Sequence, residues 1–267
     1  MTRTEVDRIL EGSRHAIHLA DDLPEPHKPL HPYVFLRTYG RQCERMRRFV
    51  DKANASRERL QGTVKALHKL MAVDAFRALL KAEGFATMPG ILAQGTLGDQ
   101  SGTPGAWKRP GHTIAAGQEL VIGICTEAVD LLEDCGVHPK IFGLLRKVVP
   151  SRQVEITQLM IALDRVKVHC AKVFVALTPQ SQLAEPSIPR KQFAGIDAEQ
   201  LAAMETEFAE LSEEFLNAAK SHGARALELV AAQAYLDRLM ENPRVVRFLA
   251  RKFPERVVEL QKLLDQI

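Results

Sequence analysis

The chain has 267 residues, of which 46% are hydrophobic and 26% charged, with a formal net charge of +3. That much apolar side chain fills one large core or two modest ones and excludes a chain disordered throughout. The longest apolar runs, around Ile122 and from 173 to 177, fall far short of the ~20 residues a membrane-spanning helix needs. The charged N-terminus also lacks the apolar stretch of a secretory signal, so a cytoplasmic protein is expected.

Apolar residues recur at spacings of three and four along most of the chain, and strand-like alternation is nearly absent, which predicts an all-α fold. Thr4 can cap a first helix over 4–20, answered by Asp7, and a proline-rich stretch over 23–32 ends it. One long helix, or two stacked ones, is expected over 34–71. Its apolar stripe is Tyr39, Cys43, Met46, Val50 and Ala53, continued by Leu60, Val64, Leu67 and Met71. Opposite that stripe, Arg37, Arg41, Arg45, Arg48, Lys52 and Arg59 follow the helical period. A basic ridge of this kind can track a phosphate backbone by Coulomb attraction and counterion release. The alternative is a solvated helix face relieved by Glu44, Asp51 and Glu58.

A short helix over 74–83 should stop at Gly84. The segment 95–117 holds six glycines and two prolines with little apolar pattern and reads as a linker. The expected organisation is therefore a helical region 1–94 with the basic helix, a linker 95–118 and a helical domain 119–267. In that domain helices are expected over 126–134, 140–148 with Pro139 in the first turn, 151–163 capped by Ser151, and 165–177. Asp197 with Gln200 opens an acidic helix ending near Gly223, followed by helices over 224–240, 243–252 and 254–266. Such punctuation suits a multi-helix bundle. Arg238, Arg244, Arg247, Arg251 and Arg256 find ready partners in Glu205, Glu207, Glu210, Glu213 and Glu214, or in DNA phosphates.

Charge is uneven. Residues 1–118 carry 18 Lys and Arg against 12 Asp and Glu, and residues 119–267 carry 18 against 21, which hints at an anionic partner for the first part. The four cysteines, Cys43, Cys125, Cys135 and Cys170, form no CxxC pair and read as reduced, buried structural residues. His15 and His18, and His27 and His31, have ligand-like spacing. With no cysteine nearby and a proline between the second pair, no metal site is expected. The sequence contains no phosphate loop or nucleophile elbow, so neither a cofactor nor an enzymatic activity is expected.

Several runs are more specific. They are Gly123-Ile-Cys-Thr-Glu-Ala-Val-Asp-Leu-Leu-Glu-Asp, Phe142-Gly-Leu-Leu-Arg-Lys, Pro150-Ser-Arg-Gln-Val-Glu-Ile-Thr-Gln-Leu-Met, Ala171-Lys and Thr178-Pro179. Near the end come Tyr235-Leu-Asp-Arg-Leu-Met-Glu-Asn-Pro-Arg-Val-Val-Arg-Phe-Leu-Ala and Pro254-Glu. In order over about 119–267, they resemble the C-terminal domain of RepB/ParB-type plasmid partition proteins. The resemblance implies a DNA-associated role in plasmid partition at the nucleoid or plasmid, self-association, and work with a ParA-type ATPase. It also makes Arg146, Lys147 and Arg152 candidates for DNA contact, because the matching segment adjoins a helix-turn-helix in that family. Before residue 119 neither the family's arginine-rich nucleotide-binding motif nor a clear helix-turn-helix is present. The alternative reading is a helical dimerisation or adaptor module that partners a full-length ParB-type protein without reading DNA itself.

Overall fold

The structure, a computed structural model, describes residues 31–85, 120–187 and 195–265. The expected first helix and the linker lie outside the described residues, as do His15, His18 and His27. Among the described residues there are nine α-helices and no strand, only an isolated bridge between Val148 and Leu183. They are α1 (Pro32–Met71), α2 (Asp74–Ala82), α3 (Thr126–Leu132), α4 (Lys140–Leu145), α5 (Pro150–Ala162), α6 (Val168–Ala176), α7 (Ala198–Glu241), α8 (Pro243–Lys252) and α9 (Pro254–Asp265). No helix among them is long and apolar enough to cross a membrane.

The residues group into two compact units, each drawing on both halves of the chain. The first combines α1 as far as Phe49 with α3 to α6 and α7 as far as Asn217. Its core is aromatic where α1, α6 and α7 meet. Phe208 lies 5.2 Å from Phe174 and 6.5 Å from Tyr39 between ring centroids, and Phe49 meets Phe215 edge-on at 5.1 Å. The second unit combines α1 from Val50 with α2, α7 from Ala218, α8 and α9. Its core is mainly leucine and valine around Phe76: Leu60, Leu67, Leu70, Leu236, Leu239, Val245, Leu249 and Leu260, with Tyr235 beside them.

The helix ends follow local chemistry where that chemistry is complete. Gly84, at φ +70°, closes α2: the Phe85 amide reaches the Leu80 carbonyl at 3.0 Å and the Gly84 amide the Lys81 carbonyl at 3.2 Å. At the start of α7 the Asp197 and Gln200 side chains each accept from the other residue's amide, at 2.7 and 3.1 Å. Asn242 caps α8 by accepting from the amides of Arg244 (2.9 Å) and Val245 (3.2 Å), while its own amide group donates to Glu83. Asn242→Ala is therefore expected to destabilise the second unit by about 1–2 kcal/mol, read as a lower denaturant midpoint.

Four expectations need correction. α7 runs unbroken through Gly223, because the Ala-Arg-Ala-Leu-Glu-Leu that follows propagates the helix at a cost of only about 1 kcal/mol for the glycine. Ser151 caps nothing: Val149 is the capping position of α5 and Pro150 occupies its first turn. α6 begins at Val168, since Lys167 is extended (φ −132°, ψ 144°). Cys125 and Cys135 are only half-buried, whereas Cys43 and Cys170 are buried as expected.

The arginines near the C-terminus also find other partners than the acidic stretch of α7. Arg244 pairs with Glu83 at 2.8 Å, Arg256 with Glu259 at 2.6 Å, and Arg238 lies over the Phe85 ring. Glu207 is held instead by Arg47 and by the Tyr39 hydroxyl, which donates to it at 2.7 Å. Burial is the main reason the Tyr39 hydroxyl is held far above its ordinary range, so it stays a donor at any physiological pH.

Candidate functional site

In the first unit, one face of α1 carries Thr38, Arg41, Gln42 and Arg45, spaced by three and four so that all four side chains lie together. Opposite them stands the connection from α5 to α6. Just past the end of α5, Asp164 lies in the left-handed region at φ +53°, a conformation aspartate tolerates better than most side chains. The Arg165 amide bonds the Met160 carbonyl at 2.8 Å and the Asp164 amide the Ile161 carbonyl at 2.9 Å, which turns the chain sharply out of the helix. Residues 165–167 then link the two helices: the Lys167 amide bonds the Arg165 carbonyl at 2.8 Å, Lys167 is extended, and His169 follows in the first turn of α6.

The two segments bound an open cavity of about 260 Å³ lined by Thr38, Arg41, Gln42, Arg45, Arg165, Lys167 and His169. Among the described residues no carboxylate lines it. Arg41, Arg45, Arg165 and Lys167 also join none of the ion pairs formed among the described residues. His169 is held below the ordinary imidazole value, first by partial burial and then by Lys167 and Arg165. Cys170 is raised by burial, against the opposing pull of Arg45, Arg165 and Lys167, and stays a thiol.

Gln42 is 4% exposed, and its amide nitrogen donates only to the Cys170 sulfur at 3.6 Å. Its amide oxygen is buried with no hydrogen-bond partner. Turning the amide over gives that oxygen the thiol proton and frees the NH₂ as a donor. An anion in the cavity would meet two or three guanidinium groups, an ammonium and a convertible amide, a set suited to phosphate oxygens.

The candidates named from sequence separate accordingly. Of the α1 ridge, Arg41 and Arg45 reach this cavity. Arg48 is paired with Glu44 at 2.6 Å, and Arg37 lies over the Tyr33 ring at 5.9 Å. Lys52 and Arg59 are exposed further along α1, in the second unit. Arg146 donates to the carbonyls of Ile122 (2.6 Å) and Leu120 (2.7 Å), pinning the segment before α3, and Lys147 is exposed. Arg152 does not present its charge at the surface. It is 3% exposed and occupied by Glu155 at 2.5 Å and by the Thr178 hydroxyl at 3.3 Å. Arg165, Lys167 and His169 were missed, although three basic side chains within five residues at a helix joint are a readable local cluster.

Among the described residues no cluster of three or more His, Cys, Asp or Glu is arranged to hold a metal ion. No curated protein and no solved structure matches the chain significantly. The family model of the RepB plasmid partitioning protein matches residues 75–259, beginning well before the segment in which the motifs were recognised. That match spans well over half of the sequence, and the chain belongs to the RepB plasmid partitioning protein family.

Proposed function

We propose that the chain takes part in plasmid partition as a DNA-associated, non-catalytic protein, and that the cavity between α1 and the α5–α6 connection seats phosphates of the DNA backbone. The observation that carries this reading is the convergence of Arg41, Arg45, Arg165 and Lys167 around a cavity that no carboxylate of the described residues lines. Such a site recognises phosphate and not base sequence, since phosphate contacts position a protein without reading bases. Joint work with a ParA-type ATPase follows from the family and is part of the same proposal.

Fluorescence anisotropy with a labelled duplex at low salt tests it. The double variant Arg45→Ala, Arg165→Ala should bind distinctly more weakly than wild type, whereas Arg48→Ala, which removes a cation already paired with Glu44, should bind nearly as wild type. Equal weakening by both variants would favour a diffuse basic ridge on α1, and equal binding by all three proteins would overturn DNA association through this face.

A further inference from the structure

The second unit leaves one face of α7 open. Leu227 is 74% and Val230 63% exposed, while Leu229, Ala232, Tyr235 and Leu236 on other sides of the same helix are buried in the core. The open face extends beyond those two residues. Lys220, Gly223, Leu227, Val230, Ala234 and Asp237 follow one another at spacings of three and four, and all six are exposed. At 100° per residue they occupy an arc of about 100°, a seam about 26 Å long with large apolar side chains at its centre, small residues beside them and one charge at each end. Ala224 and Ala231 flank the seam and are likewise small and exposed, so a partner helix can approach closely.

The order of residues along the seam is self-complementary. An identical helix laid antiparallel across a two-fold axis between Glu228 and Leu229 sets Leu227 against Val230, Gly223 against Ala234 and Lys220 against Asp237, each pair occurring twice. A parallel arrangement instead sets Lys220 against Lys220 and Asp237 against Asp237. Neither end charge forms an ion pair among the described residues. We infer that this seam is a homodimer interface, occupied by the same seam of a second copy in antiparallel register.

Sedimentation equilibrium of the full chain at tens of micromolar tests this, with helicity followed by circular dichroism. Wild type should be dimeric. Leu227→Asp with Val230→Asp should stay folded, because both side chains are exposed, and should weaken the dimer by roughly a hundredfold as carboxylates enter an apolar seam. The register has its own test: Asp237→Lys alone should weaken the dimer, and adding Lys220→Asp should restore it, because the pair is exchanged and not lost. A monomeric wild type, a folded double-aspartate variant that stays fully dimeric, or a charge exchange that fails to rescue would each overturn the proposal, as would a different protein found bound to the seam of a monomer.

Discussion

Raising the salt from about 50 to about 200 mM is expected to weaken duplex binding by roughly a hundredfold, the loss that goes with about four phosphate contacts at a slope near −0.9 per contact. The four contacts are those of Arg41, Arg45, Arg165 and Lys167. With Arg45→Ala and Arg165→Ala the same change of salt should cost only about tenfold, because about two contacts remain. Removing all four should leave a nearly flat dependence. A quadruple variant that keeps the wild-type slope would place the phosphate contacts elsewhere.

The site also predicts a dependence on pH. In the free protein Lys167 and Arg165 help to hold the His169 pKa down, and a phosphate seated between them offsets that effect. The pKa is then higher in the complex than in the free protein, binding takes up a proton, and affinity rises as the pH falls from neutral into the acid range. His169→Ala should flatten that rise while leaving the salt slope at neutral pH unchanged, since the imidazole is neutral there.

What the sequence disclosed about the fold is what is encoded locally. The three-and-four spacing of apolar residues specifies helices wherever they pack, and Gly84, the Asp197 and Gln200 pair and Asn242-Pro243 each mark a helix end by hydrogen bonds that close within a few residues. Gly223 misled because a glycine ends a helix only when the chain beyond it turns away, and here strong helix formers follow. The division into units was hidden for another reason. Each unit combines segments from both ends of the chain, and the two longest helices, α1 and α7, contribute to both units.

The candidate site was half legible. Arg41 and Arg45 stood out by helical period, but so did Arg37, Arg48, Lys52 and Arg59, and periodicity cannot say which cations meet a counter-charge. That depends on Glu44 for Arg48 and on the Tyr33 ring for Arg37. The other wall, Arg165 to His169, comes from more than a hundred residues away and depends on the left-handed turn at Asp164. Arg152 shows the opposite error, a cation taken for a surface contact because of its place in a motif, and burial assigns it another task.

That task yields the largest expected effect on stability. The Arg152 side chain is 3% exposed and has two partners, Glu155 and the Thr178 hydroxyl, which in turn donates to the Phe174 carbonyl at 2.9 Å. Next to it, buried Gln153 accepts from the Cys125 amide at 2.8 Å and donates to the carbonyls of Gly123 and Val148, both at 3.2 Å. The motifs at Gly123, Pro150 and Thr178 are thus joined through the first turn of α5. Glu155→Ala strands a guanidinium in the interior and should cost about 3 kcal/mol, a fall in Tm of roughly 6–12 °C for the unit that contains it. Arg152→Met removes the buried charge and leaves Glu155, a third of whose side chain is in water, so the loss should be about 1 kcal/mol or less. Thermal unfolding of the two variants side by side decides the matter, and an Arg152→Met variant less stable than Glu155→Ala would show that the guanidinium contributes more than neutralisation of its partner.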